Sequence, residues 1–146
     1  MGTPHGTAPI TDHSASVPPG SVTSRSYPGV AVSARHLHLD TDGRYPPKRG
    51  DTYLVVDITI VNHGTTPYYY GAIQFFLHAG AGTHEYLGDG GDSNVDITWL
   101  SFVVLQPGQR ITGSLAFEVP KSETAFALYW LPNAFSAQGV QVPLGT

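Results

Sequence analysis

The residues best suited to chemistry in this chain are aspartates in a glycine-rich stretch. Asp89, Asp92 and Asp96 supply carboxylate oxygens at close spacing, which is the ligand type that calcium prefers. The EF-hand pattern is not met, because Ile97 stands where the loop needs glycine and Val103 where it needs glutamate. We interpret the stretch as a solvated acidic turn, with a looser calcium site as the alternative, and we expect no cofactor.

Histidines offer a second metal-binding alternative. His36 and His38 are two residues apart, so on a regular strand they share a face, a spacing that can bind zinc or copper. Only folding could bring further histidines near them, namely His63, His78 and His84. Since no third ligand is close in sequence, we expect histidines at the surface or at a subunit contact.

Hydrolytic chemistry is not predicted. The chain contains no Gly-x-Ser-x-Gly nucleophile elbow, and its lack of cysteine removes thiol nucleophiles and zinc–thiolate sites. Paired carboxylates of the glycosidase kind are conceivable among Asp57, Glu85 and Glu118, but 11 acidic residues will form some pairs by chance. We therefore expect a protein that is not an enzyme.

Residues 49–51 read Arg-Gly-Asp, the tripeptide that integrin-type receptors bind. It directly precedes residues 53–61, where side chains alternate with a period of two and many are β-branched, as in a β-strand. We therefore interpret the tripeptide as a turn that leads into a strand. The alternation predicts one buried face, made of Leu54, Val56, Ile58 and Ile60.

Short strands separated by turn signals continue along the chain. A phase slip near Arg35 and His36 predicts a bulge, and Gln106-Pro107-Gly108-Gln109 predicts a type II turn. Tyr68 to Tyr70 are expected to lead into a strand, and a run at 102–105 is expected to be fully buried. The strands expected are 30–39, 53–61, 72–78, 84–87, 95–99, 102–105, 111–119, 126–130 and 140–142. Seven to eight of them describe an Ig-like antiparallel β-sandwich, all-β, over residues 29–146.

Residues 1–28 differ in composition from the rest. They are rich in Gly, Pro, Ser and Thr, with Ile10 and Val17 as the main apolar residues. Such a segment cannot bury enough surface to fold alone, so we expect an extended arm held by a neighbouring subunit through these two anchors. The arm has no apolar signal-peptide core, so we expect a protein used without export or one whose leader has been removed.

Charge and aromatic content narrow the partners. The net charge is −4 without a basic cluster, so we expect no nucleic-acid binding and no membrane insertion. Tyr68, Tyr69 and Tyr70 are consecutive, so in an extended backbone at least one faces away from the core. Because tyrosine is enriched at interfaces, we predict a protein contact here, with sugar stacking or packing at the core edge as alternatives.

Three stretches together resemble a known family. They are residues 50–57 with Asn62 closing the strand, residues 105–109, and residues 113–120. Their order and spacing are similar to those of Ig-like sandwiches of unknown function. That family is common in secreted and lipid-anchored proteins of Gram-positive bacteria and archaea, and is akin to a small secreted mycobacterial antigen. The likeness covers about residues 30–131 and implies a fold, without catalytic residues.

These observations predict a non-enzymatic structural or assembly protein. A decoration protein on a phage capsid fits best, located on the virion surface or on an assembled extracellular particle. Its partners would be other protein subunits, a homo-oligomer among them, and its contacts Ile10, Val17 and Tyr68 to Tyr70. The alternative is a secreted or surface-anchored Ig-like module that binds a protein, a carbohydrate or a metal.

Overall fold

The computed structural model describes eight parts of the chain, which are residues 10–12, 18–25, 27–40, 48–70, 74–79, 84–87, 103–132 and 139–145. Within these parts the chain forms twelve β-strands and no α-helix. The strands are β1 (Ile10–Asp12), β2 (Val22–Ser24), β3 (Tyr27–Asp40), β4 (Asp51–Asn62), β5 (Tyr68–Tyr70), β6 (Phe75–Ala79), β7 (His84–Leu87), β8 (Val103–Leu105), β9 (Arg110–Pro120), β10 (Phe126–Trp130), β11 (Val140–Val142) and β12 (Leu144–Gly145).

The larger sheet has the strand order β1-β9-β4-β3-β12, and β2 also pairs with β3. Its three long central strands are antiparallel, and β4 pairs with β9 from Asp51 to Val61 without a break. The short β12 is parallel to β3 at Ala34 and Arg35. Long β-branched strands at the centre of the sheet therefore form the framework on which the shorter strands are placed.

The smaller sheet has the order β11-β10-β6-β7, and β5 and β8 form a separate two-stranded ribbon. Buried side chains from the two sheets and the ribbon pack into one core, in which Trp130, Phe75 and Phe117 are among the largest. The predicted Ig-like β-sandwich is confirmed. The described strands outnumber the seven to eight predicted because β1, β2, β5 and β12, which were not predicted, have only two or three residues each and lack a clear period.

The predicted inner face of β4 is confirmed, but the expectation of a single buried face is wrong. Leu54, Val56, Ile58 and Ile60 are fully buried, and so is Val55 on the opposite face. The reason is that β4 lies between β3 and β9, so residues such as Ala116, opposite Val55, cover this outer face from the side.

Polar residues occupy the centre of the outer face. Ser114 Oγ donates a hydrogen bond to Asp57 Oδ1 at 3.0 Å, and Arg35 lies 3.6 Å from the other oxygen of the same carboxylate. Two residues further along β4, the hydroxyls of Thr59 and of Thr112 on β9 are 3.0 Å apart. These cross-strand pairs link β4 to its neighbours without creating a cleft.

Two local predictions for turns and bulges are confirmed. The register of β3 shifts between His36 and His38, which is the bulge indicated by the phase slip. Gly108 has a φ of +85° and Gln109 N donates to Gln106 O at 3.1 Å, as a type II turn requires.

The structure corrects the prediction for residues 68–70 and 102–105. Tyr68–Tyr70 does not run into the next strand but forms β5, which pairs with β8. Val104 is not buried, because a two-stranded ribbon lies on the core with one face only. Predicted strand 95–99 lies outside the described residues.

Part of the predicted arm is included in the larger sheet. Ile10–Asp12 pairs with β9 of its own chain, and Val22–Ser24 pairs with β3, where Val22 packs against the core. Val17 lies outside the described residues, and the division of the chain at residue 28 stays a prediction.

Candidate functional site

The β5–β8 ribbon separates its residues sharply into buried and exposed. Tyr68 and Leu105 are directly opposite each other and buried, whereas the next pair, Tyr69 and Val104, faces outward. Tyr69 is 65% exposed and Val104 38% exposed, and among the described residues these are the large apolar side chains that solvent reaches most. Tyr70 forms the third pair of the ribbon, with Val103.

We call the outward side of the ribbon the ribbon face, defined by Pro67, Tyr69, Val104 and Gln106. All four are exposed, and alternation places Pro67 on the side of Tyr69, and Gln106 on the side of Val104. The flanking sequence, residues 62–78 and 103–109, contains no Asp, Glu, Lys or Arg. The ribbon face is therefore apolar at its centre, uncharged, and bordered by hydrogen-bonding groups.

Tyr68 anchors this ribbon to the smaller sheet. Its hydroxyl donates to Pro132 O at 2.6 Å and accepts hydrogen bonds from Trp130 Nε1 at 3.0 Å and Gln74 Nε2 at 3.1 Å. Its ring meets Trp130 edge-on at 6.3 Å and Tyr27 edge-on at 5.3 Å. Burial raises the pKa of Tyr68 to about 12, against the opposing effect of the Trp130 hydrogen bond, so the hydroxyl stays protonated at neutral pH.

Asn62 joins the ribbon to the larger sheet. Its Nδ2 donates to Thr66 O and to Leu105 O, both at 2.9 Å, and its Oδ1 accepts from Gly64 N at 2.9 Å. The side chain is buried and all three of these bonds go to backbone groups. Asn62 and Tyr68 therefore both fix the end of the ribbon at which Tyr68 pairs with Leu105, directly next to the exposed Tyr69.

A cleft of about 250 Å³ lies beside this joint, lined by Tyr27, Gly29, Val30, Asn62, Gly64, Thr65, Thr66, Pro67 and Tyr68. Its volume is below the roughly 300–1,000 Å³ of most ligand pockets. The buried Asn62 amide on its wall is committed to backbone partners. We therefore interpret the cleft as a packing feature where β3, β4 and β5 meet.

The metal sites considered from the sequence gain no geometric support. The bulge places His36 opposite Val56 and His38 opposite Val55, which are neighbours on β4, so the regular spacing that a shared face needs is broken. Within the described parts of the chain, no group of three His, Cys, Asp or Glu residues is arranged to hold a metal ion. Asp89, Asp92 and Asp96 lie outside those parts.

The other histidines are dispersed. His63 is exposed at the end of β4, and His84 is opposite Ala79 in the smaller sheet. His78 lies in an aromatic cluster, 4.9 Å from the Tyr129 ring and 5.4 Å from Phe76. Phe76 and Tyr129 stack on each other at 5.4 Å, so this cluster is a packing unit on the outer side of the smaller sheet.

The conceivable carboxylate pair is not formed by Asp57 and Glu118. Asp57 is opposite Ser114, whereas Glu118 is opposite Tyr53, four residues away along β4 and therefore about 13 Å distant. Glycosidase carboxylates lie about 5–9.5 Å apart. Glu118 instead accepts a hydrogen bond from Lys48 N at 3.1 Å and helps to fix the turn before β4.

That turn contains the Arg-Gly-Asp tripeptide, and the prediction that it leads into a strand is confirmed. Arg49 and Gly50 form the turn, Gly50 has a φ of +88°, and β4 begins at Asp51. Asp51 N donates to Lys48 O at 2.9 Å, and its position in the ladder is opposite Pro120. The aspartate thus lies in the sheet rather than at a loop tip.

Comparison with known proteins assigns the family. The family model described as "Domain of unknown function (DUF4352)" matches residues 23–140. The chain belongs to the DUF4352 family. This match confirms the resemblance inferred from the strand and turn motifs. A comparison with functionally curated proteins found no match.

Solved structures similar to this DUF4352 domain come from Gram-positive bacteria and a mycobacterium. A predicted lipoprotein of Bacillus subtilis, ycdA, has a TM-score of 0.65 and 16% identity, covering 84% of this chain but only 37% of its own. The yjhA protein of B. subtilis has a TM-score of 0.52 and 16% identity, covering 80% and 91%. The secreted Mycobacterium tuberculosis protein MPT63 has a TM-score of 0.53 and 14% identity, covering 80% and 85%. At these identities the likeness shows the fold alone.

No described helix has the length and apolar character needed to cross a membrane.

Sequence reasoning identified the tyrosine run but missed three residues that bond to it or pair with it, namely Gln74, Trp130 and Val104. Nothing in the sequence indicates that Gln74 and Trp130 both donate hydrogen bonds to the Tyr68 hydroxyl. Val104 lies in a continuous apolar run, so the sequence gives no signal that it faces solvent.

Proposed function

We propose that this DUF4352 domain is a non-enzymatic, secreted or surface-attached binding module that contacts a protein partner through the ribbon face. The observation that carries the proposal is the exposure of Tyr69 beside Val104 on a ribbon fixed by the Tyr68 and Asn62 networks. Rigid, exposed aromatic side chains provide much of the binding energy at protein interfaces, because they bury a large area at little entropic cost.

The lack of charged residues in the ribbon and in its flanking sequence defines the kind of partner. Tyr69, Val104 and Pro67 would make apolar contacts with the partner. Hydrogen bonds from Gln106, Thr65 and Thr66 would supplement them. No salt bridge is offered by residues 62–78 or 103–109. Binding at the ribbon face is therefore expected to change little with ionic strength, unlike association steered by charge.

The extracytoplasmic location is supported by the similarity to a predicted lipoprotein and to a secreted protein. Since this chain spans about a third of the lipoprotein, the activity of that whole protein does not transfer to it. These relatives give no support to a virion role, so capsid decoration stays a prediction from the sequence.

In the test, a photo-reactive amino acid replaces Tyr69 in the full chain. This variant is expressed in the organism's own cells, so that the natural partner is present. We expect a discrete protein adduct from position 69, and none from position 23, where Thr23 is also exposed, on β2. Val104→Asp, which adds a charge to the ribbon face without touching position 69, should abolish the adduct.

Support requires that the adduct partner, once purified, binds the full chain directly. Tyr69→Ala should then weaken binding by about 30-fold or more, the loss typical of an aromatic hot spot, while Thr23→Ala should leave the affinity unchanged. Equal labelling from positions 69 and 23, or an adduct insensitive to Val104→Asp, would exclude the ribbon face as the contact.

A further inference from the structure

Three of the chain's seven basic residues lie together at one end of the larger sheet. Lys48 and Arg49 belong to the turn that leads into β4, and Lys121 belongs to the turn that follows β9. Lys121 N donates to Gly50 O at 2.9 Å, so the two turns are in direct contact. We call this double turn the basic tip, defined by Lys48, Arg49 and Lys121. The sequence shows no basic cluster because Lys121 is far from the other two along the chain.

The side chains of the basic tip are available to a ligand. All three residues are exposed, and within the described parts of the chain none of them forms a salt bridge. Both turns are closed by backbone bonds, from Asp51 N to Lys48 O at 2.9 Å and from Glu123 N to Pro120 O at 3.1 Å. The turns therefore keep their shape without using the three charged side chains.

Three acidic residues near the tip, Asp51, Glu118 and Glu123, are less exposed than its cations. Each is half-buried, and Glu118 Oε2 accepts a hydrogen bond from Lys48 N at 3.1 Å. Glu118 also lies three residues before Lys121, up to about 10 Å back along the strand direction. Exposed charges this far apart are largely screened in physiological salt, where the Debye length is about 8 Å. Glu123 offsets part of the positive charge, but a surface that touches the tip meets the cations first.

The basic tip and the ribbon are at opposite ends of β4. This strand begins at Asp51, next to the tip, and ends at Asn62, whose side chain holds the ribbon. Its 12 residues span about 37 Å in extended conformation. A surface bound at the tip would therefore leave the ribbon face at the far end of the domain, clear of that surface.

We propose that the basic tip docks on the phosphate headgroups of an anionic lipid surface. Such a surface has a negative potential that attracts lysine and arginine, and each of these residues adds about a fivefold gain in partition. The contact is peripheral, because among the described residues no large apolar side chain is exposed at the tip. This inference gives an orientation to the surface-attached module of the proposed function, and it does not depend on the ribbon face.

The test uses the full chain and lipid vesicles. Vesicles with about one-third phosphatidylglycerol supply the anionic surface, and vesicles of pure phosphatidylcholine are the control without net charge. At about 50 mM salt we expect the protein to sediment with the anionic vesicles only, and at about 500 mM salt to be released. Absence of binding to the anionic vesicles at low salt would overturn the proposal.

Matched single substitutions locate the contact. Arg49→Ser and Arg25→Ser each remove one exposed positive charge, so they change the net charge equally. Arg25 lies just before β3, at the end of the sheet where Val30 pairs with Asn62, opposite the tip. We expect Arg49→Ser to lower the partition coefficient about fivefold, Arg49→Ser with Lys121→Ser about 25-fold, and Arg25→Ser to leave it unchanged. Equal losses from Arg49→Ser and Arg25→Ser would show attraction by overall charge and would exclude the tip as the contact.

Two further measurements identify the occupant and test the ribbon face. Soluble polyphosphate offers the same phosphate chemistry without a membrane, so binding of polyphosphate but not of vesicles would exclude the lipid surface. Tyr69→Ala should bind the anionic vesicles as the wild type does, because the ribbon face is at the other end of β4. Loss of vesicle binding in Tyr69→Ala would overturn the tip as the contact, whereas failure of the tip variants would leave the cross-link from position 69 unaffected.

Discussion

Tyr68 and Tyr69 are adjacent and chemically identical, yet they serve different purposes. Tyr68 has 2% of its surface exposed and its hydroxyl makes three hydrogen bonds, whereas Tyr69 has 65% exposed. The difference arises because successive side chains of a strand point to opposite faces. The buried residue fixes the backbone, and the exposed one is thereby held in place for binding.

The raised pKa of Tyr68 predicts a loss of stability in alkali. Its pKa is about 12 in the folded protein and about 10 when unfolded, so its contribution is complete below pH 10 and is lost as the pH rises toward 12. Two pKa units correspond to about 3 kcal/mol. Between pH 9 and 12 the wild-type protein should lose about 2 kcal/mol more unfolding free energy than Tyr68→Phe, measured by urea unfolding, with the remainder lost above pH 12. Parallel pH profiles would show that Tyr68 titrates normally.

The close approach of Gly29 and Gly64 gives a second prediction at the scale of the residue. A Cβ at Gly29 would lie 2.5 Å from Gly64 Cα, whereas a Cβ at Gly64 would lie 3.1 Å from Asn62 Oδ1 and 3.7 Å from Gly29 Cα, the latter an ordinary van der Waals contact. Gly29→Ala should therefore destabilise the protein by about 2–3 kcal/mol, since backbone has to move, and Gly64→Ala by much less. Thermal unfolding of the two variants compares them directly, and equal losses would contradict the packing argument.

At the scale of elements, the ribbon depends on Asn62 for its position. Asn62→Ala removes the donor to Thr66 O and Leu105 O and the acceptor for Gly64 N, so the buried Leu105 O and two less buried groups lose this partner. We expect a loss of about 2–4 kcal/mol and faster amide exchange in β5 and β8 than in β4. Gln106→Ala, a polar-to-alanine change at an exposed position of the same ribbon, should change stability by less than about 0.5 kcal/mol.

The long strands could be predicted from the sequence because their signal is local. Residues 53–61 and 111–119 alternate over many residues, so both strands and the inward-facing residues of β4 could be predicted, although the burial of the outer face could not. The bulge at His36 and the turn at Gly108 are local as well, since each depends on a phase or on one glycine.

The ribbon could not be predicted in the same way. Its pairing of Tyr68 with Leu105 joins residues 37 positions apart, and three-residue strands are too short to show a period. The run at 102–105 was expected to be buried because it is apolar, yet composition does not tell whether one or two faces of a strand are covered. Likewise, the burial of the outer face of β4 depends on side chains of β3 and β9, and the sequence of β4 alone does not reveal it.

At the scale of the whole molecule, we predict that the sandwich folds without the first 17 residues. The family match starts at residue 23, and among the side chains that the structure describes Val22 is the first to pack against the core cluster. Removal of residues 1–17 should therefore leave a cooperatively folded β-protein, checked by circular dichroism and thermal unfolding. A truncated chain that fails to fold would mean that β1 is needed by the sandwich itself.

The indole N–H of Trp130 donates a hydrogen bond to the Tyr68 hydroxyl inside the core, and Tyr68 directly precedes the exposed Tyr69. A tryptophan in this position acts as an intrinsic optical probe, because its emission responds to the polarity around it and is quenched by a nearby tyrosinate. Lifting of the ribbon from the smaller sheet would shift the emission to the red, and ionisation of Tyr68 would dim it. The chain thus carries its own fluorescent reporter next to the surface proposed for binding.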